Sequence, residues 1–163
     1  MHARAATLIA TLGLKPHPEG GFYREIFRSV HHVTPADGRG QRAALTTIYF
    51  LLPAGTASRW HRVTSDEVWH LYEGGPLELF ELDADGESPR QHLLAALTDG
   101  LDAAPVRTVP AHHWQAARPL GDYALVGCSV GPGFDYADFT MLADDHAAAE
   151  RLRARWPELA SLL

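Results

Sequence analysis

Cysteine is nearly absent. Cys128 stands alone, so no disulfide can tie this chain to itself, and a reducing, cytoplasmic compartment is the expectation. No apolar run comes near the roughly 18 residues that a membrane-crossing helix needs. Positive charge is short as well. Fourteen Lys and Arg stand against twenty Asp and Glu, a formal net charge of -6 at pH 7, and the arginines are scattered. Nucleic acids and anionic membranes select for clustered positive charge, so neither is an expected partner. Internal repeats, low-complexity tracts and an interdomain linker are also missing. What remains is 163 residues, 46% of them hydrophobic. That is one domain, 1–163, long enough to bury roughly 70% of its unfolded surface without metal or disulfide support.

Three zones follow along the chain. Residues 4–13 predict a short helix. The run after Arg4 has the length of a signal-peptide apolar core, but no small-residue cleavage site follows it, and Leu8, Ile9 and Leu12 suit one helix face better. Lys15 to Gly21, rich in Pro and Gly, reads as loop. From about 22 to 141 the chain reads as short strands split by turns: 22–29, 44–52, 57–63, 66–73, 76–82, 90–96, 105–109, 113–118 and 122–130. From 144 to 163 it returns to helix, broken at Pro157. Helices at the ends, with many close-spaced strands between them, predict an all-β antiparallel sandwich or barrel.

Potentially reactive residues are densest between Gly55 and Gly74, "GTASRWHRVTSDEVWHLYEG", with a second segment "VPAHHWQAA" from Val109. Gly55, His61, Glu67 and Gly74 fall on the first cupin motif, G-x5-H-x-H-x3-4-E-x6-G, whose second His becomes Val63. In the second motif Pro110 fits, the Gly position carries His112, and the metal-binding His position carries Gln115. The runs "HPEGGFYRE", "TTIYFLL", "SDEVWHLYEGGPLEL", "VPAHHWQAA" and "LVGCSVGPGFDYADF" together resemble one subfamily, Cupin_5 (domain of unknown function 985), over about residues 7–163. The resemblance implies a double-stranded β-helix, the RmlC-like jelly-roll barrel, with short terminal helices. It also implies a homodimer, and it implies no particular reaction. His112, where Gly is expected, would narrow the pocket or alter its turn.

A catalytic transition-metal site usually has three protein ligands and an open position. His61 and Glu67 alone would hold a divalent metal only weakly, so no cofactor is expected. His70, His112 and His113 could supply missing ligands. Strand alternation argues against the first: if Glu67 points inward, so do Trp69 and Leu71, and His70 points out.

The likeness to RmlC-like sugar epimerases implies a His base supported by an Asp, with a Tyr acid. His61 is the natural base, because imidazole titrates near neutrality. Asp135 and Asp138 are candidate orienting carboxylates, and Tyr23, Tyr49 or Tyr123 a candidate acid. Glu67 joins His61, since an inward carboxylate needs a partner. Arg59 is expected on the face of His61, paired with Glu67 or with an anionic ligand. Gln115 could orient a ligand by its amide. Trp69, Trp114, Phe134 and Phe139 either form an aromatic cage or, as aromatics in a small barrel usually do, fill its core, while Trp60 and Arg62 face away from the barrel. The expected function is therefore small-molecule binding inside the barrel. It is carried out by a metal-independent sugar-type epimerase or isomerase, by a non-catalytic binding or sensing module, or, third, by a metal-dependent cupin enzyme.

Overall fold

The computed structural model describes residues 1–97 and 103–163. Helix α1 (Ala3–Leu12) ends where Gly13 adopts φ +63°, a left-handed cap that closes the last turn. The strands then follow: β1 (Lys15–Pro16), β2 (Phe22–Arg28), β3 (His32–Val33), β4 (Arg42–Ala43), β5 (Thr46–Pro53), β6 (Ser58–Val63), β7 (Asp66–Gly74), β8 (Leu77–Leu82), β9 (Pro89–Leu94), β10 (Ala103–Ala104), β11 (Val106–Val109), β12 (Trp114–Pro119), β13 (Tyr123–Gly131) and β14 (Phe139–Met141). Helix α2 (His146–Arg155) is capped by the Asp145 side chain on Ala148 N–H, and Pro157 follows its end.

Two six-stranded sheets form the barrel. The first runs β1-β2-β5-β13-β7-β11 and the second β10-β9-β8-β12-β6-β14. Every pairing described is antiparallel except β9 with β10. The jelly-roll expectation holds. The predicted strands end within about two residues of the observed ones, because alternation and turn residues are local signals. One correction concerns Lys15–Gly21, which is not all loop: Lys15 and Pro16 pair with Tyr23 and Phe22.

Between the sheets lies a core of Phe50, Leu52, Trp69, Leu77, Leu79, Leu94, Val109, Val126 and their neighbours. Outside the second sheet, Trp60, Phe80, Leu82 and Trp114 pack under Ala148, Ala149 and Leu152 of α2. Trp60 Nε1 donates to the Leu159 carbonyl at 3.0 Å, and the Arg62 guanidinium lies 4.3 Å above the Trp114 ring. Trp60 and Arg62 therefore face away from the barrel, as alternation predicts. Trp114 lies with them, so it is no part of an aromatic cage inside. Helix α1 covers the far end of the first sheet through Ala5 and Leu8 against Leu51 and Leu125.

Candidate functional site

A strand irregularity decides which side chains meet. On β12, Gln115 pairs with His61 and Ala117 with Ser58, so Ala116 alone opposes two residues of β6, Arg59 and Trp60. The extra residue is a bulge, which shifts alternation by one. Ser58 and His61 both turn inward, and Arg59 turns out. Arg59 is exposed, and its guanidinium donates to the Pro18 carbonyl at 2.6 Å and the Glu19 carbonyl at 3.3 Å. The expected pairing of Arg59 with Glu67 is thus overturned. Arg59 instead clamps the loop after β1.

That loop delivers two residues the sequence reading passed over, His17 and Glu19. Glu19 is 6% exposed. Ser58 Oγ donates to its Oε1 at 2.8 Å, while His61 Nε2 lies 3.3 Å and His17 Nδ1 3.4 Å from its Oε2. His61 Nδ1 sits 2.8 Å from the Arg59 carbonyl. A carbonyl only accepts, so Nδ1 carries a proton and, in the neutral ring, Nε2 presents its lone pair toward Glu19. Burial holds His61 and His17 below the ordinary histidine value and pushes Glu19 above the ordinary carboxylate value. At neutral pH the imidazole is uncharged.

Glu67 lines the cavity from the sheet facing that of His61. Gln115 Nε2 donates to Glu67 Oε2 at 2.6 Å, and Gln115 Oε1 accepts from Trp69 Nε1 at 2.9 Å. Burial raises the Glu67 carboxyl, opposed by the nearby His61 and by the Gln115 hydrogen bond. Gln115 and Trp69 are fully buried behind Glu67 and do not line the cavity. Their expected ligand contacts give way to a positioning role.

The cavity itself holds about 460 Å³, within the range of small-molecule sites. His17, Glu19, His61, Glu67 and Cys128 form its floor, and Tyr23, Phe134, Tyr136 and Phe139 its apolar wall. Phe139 stacks on His61, centroids 5.4 Å apart at 26°. The Tyr23 and Tyr136 hydroxyls are 3.3 Å apart, and burial, reinforced by that contact, pushes Tyr136 up to about 12. Tyr23, Phe134 and Phe139 therefore line the cavity, and Tyr136 lies beside them. Burial raises the Cys128 thiol well above its usual value.

Other candidates fall elsewhere. Asp138 accepts from Arg42 at 2.7 and 2.8 Å, away from the cavity. Asp135 lines the rim while its carboxylate accepts from Ala137 N–H. Tyr49 packs edge-on to Tyr72, and Tyr123 donates to Glu73, so neither serves this site. His112 keeps the left-handed backbone of the expected glycine, φ +68°, with its side chain exposed, so it does not narrow the pocket.

The donor set does not fit the metal that cupins commonly carry. Val63 has no donor atom, and both polar ends of Gln115 are already bonded. Among the described residues no group of three or more His, Cys, Asp or Glu is arranged to hold a metal ion.

The chain belongs to the cupin superfamily: its residues 6–142 match the family described as Cupin superfamily (DUF985). It is similar to a hypothetical protein from Leishmania major, with 34% identity and TM-score 0.80, covering 97% of this chain and 95% of that one. A protein from Shewanella oneidensis is 32% identical at TM-score 0.80, covering 97% and 93%. Oxalate decarboxylase from Bacillus subtilis, 18% identical at TM-score 0.55, covers 91% of this chain and 36% of its own and shares the fold. No curated protein matches. No helix among the described residues is long and apolar enough to cross a membrane.

Proposed function

We propose that this cupin binds a small carbonyl compound, of sugar type, in its barrel and exchanges a proton at the carbon next to the carbonyl. The observation that carries the reading is His61. It is 2% exposed yet lines the cavity; burial keeps its ring uncharged, and the bond from Nδ1 to the Arg59 carbonyl fixes which nitrogen carries the lone pair. A neutral imidazole at pH 7 has the free lone pair that a general base needs to take such a proton. The imidazolium formed lies beside Glu19 and Glu67, whose carboxylates stabilise it. The Arg59 carbonyl, through Nδ1, takes the orienting role that the sequence assigned to an aspartate. The Tyr23–Tyr136 hydroxyl pair is the acid: a phenol held above its ordinary value keeps its proton until the developing enolate or alkoxide takes it.

A second reading, a binding or sensing module without catalysis, is favoured by one contact: Glu19 already occupies the space before His61 Nε2 at 3.3 Å. Deuterium uptake from solvent, followed by NMR across a panel of keto sugars, separates the two. Uptake that disappears in His61→Ala, with the melting temperature of the variant checked in parallel, supports catalysis. A ligand that binds wild-type protein without uptake supports the second reading, and uptake unchanged in His61→Ala removes His61 as the base.

A further inference from the structure

The charges around the cavity restrict what can enter it. Glu19, Glu25, Glu67 and Asp135 all line it, and Arg28 is the one Arg or Lys among its described lining residues. Arg28 reaches the cavity because β2 also carries a bulge: Glu25 pairs with Ile48 and Phe27 with Thr47, so Phe27 turns out and Arg28 turns in. Its guanidinium is already engaged. Nε and Nη2 donate to the two oxygens of Glu25 at 3.0 and 2.6 Å, and Nη1 donates to the Phe134 carbonyl at 3.1 Å. The other arginines nearby are turned elsewhere, Arg42 and Arg39 to Asp138 and Arg59 to the loop carbonyls. Even with Glu19 and Glu67 protonated, Glu25 and Asp135 outnumber the single guanidinium.

We infer that the ligand of this pocket carries no phosphate or carboxylate: it is a neutral or ammonium-bearing carbonyl compound, not a sugar phosphate or sugar nucleotide. An anion entering here would meet carboxylates with no unpaired guanidinium on the described lining to receive it, and like-charge contacts are strongly disfavoured. A neutral ring instead lays its apolar face on Phe134, Tyr136 and Phe139, and an ammonium group gains from the rings and from Glu25 and Asp135 together. The inference rests on the cavity being the ligand site of the proposed function, though not on His61 being catalytic.

The test uses the full chain and a library of small carbonyl compounds in matched triplets, neutral, amine-bearing and phosphorylated. D-fructose, 1-amino-1-deoxy-D-fructose and D-fructose 6-phosphate form one such triplet. Saturation-transfer NMR finds binders, and calorimetry ranks each triplet. The expected result is binding by neutral or amine members, with the phosphorylated member of each binding triplet weaker by about a hundredfold. Glu25→Gln, an exposed change that releases Arg28, should strengthen the phosphorylated members by about tenfold. Phosphorylated members that match their neutral counterparts, hits confined to phosphorylated members, no neutral or amine hit at all, or an unchanged anion affinity in Glu25→Gln each overturn the inference. Binding of neutral ligands without deuterium uptake would retain charge selection and remove proton transfer. Uptake on phosphorylated substrates alone would do the reverse.

Discussion

Replacing Gln115 by Leu probes the part of the site that local sequence does not reveal. Gln115 is fully buried and bridges two buried groups, donating to Glu67 at 2.6 Å and accepting from Trp69 at 2.9 Å. Leu fills a similar volume and bonds neither. Leaving a buried donor or acceptor unpaired costs about 1–3 kcal/mol, toward the upper end when the partner is charged. Two such losses come to about 2–6 kcal/mol, a large share of the ~5–15 kcal/mol that holds a domain together. Urea unfolding followed by tryptophan fluorescence measures this. Trp69→Phe removes the donor at the other end of the same bond. The double variant Trp69→Phe with Gln115→Leu should therefore recover about 1 kcal/mol or more relative to the sum of the single changes. The cost of Gln115→Leu should also shrink in acid, where Glu67 is protonated and needs its amide donor less. Strict additivity of the two single changes, or a Gln115→Leu protein as stable as wild type, would refute the account of Gln115 as the support behind Glu67.

Two further outcomes follow from the same geometry. Burial holds the folded Glu67 carboxyl above its ordinary 4.5, so Glu67 contributes stability that is fully present below that value and lost as pH rises through the folded one. Glu67→Gln should flatten that decline by as much as about 1.4 kcal/mol per pH unit. The contribution of His17 and His61, whose values burial lowers, is instead present above 6.5 and lost as pH falls. An unchanged slope in urea unfolding between pH 4.5 and 8 would sink the assignment. Gly20 has φ +120°, and a Cβ there would sit 2.1 Å from the Ala57 carbonyl oxygen. Gly20→Ala should cost about 1–3 kcal/mol and pull Glu19 from Ser58 and His61. The shift shows in the His61 ring signals by NMR, and unperturbed signals would mean that the loop does not depend on glycine.

How far the sequence alone could be read follows from the range of each signal. Alternating apolar residues and the turn clusters at Gly74–Pro76, Asp83–Gly86 and Pro119–Asp122 are written within a few neighbours, so the central strands and the barrel class were legible there. His61 and Glu67 were legible because strand alternation and a spaced motif turn both of them into the barrel. The short strands β1 and β14 were not: two residues, Lys15 and Pro16, are too few to show alternation, and Phe139 pairs with the distant Val63. Glu19 and His17 lay in plain view in "HPEGGFYRE", yet a Pro- and Gly-rich stretch carries no period from which a direction can be read.

Arg59 marks the limit most sharply. By sequence parity it shares a face with His61. A single unpaired residue between Ser58 and His61 reverses that parity, and the inward place goes to Ser58. The primary structure thus determined which chemical groups were available and the β-rich scaffold that bears them. Only tertiary pairing decided which of them converge, because a strand's facing depends on its register with its neighbours, and a bulge set by the partner strand alters it with no local mark in the chain.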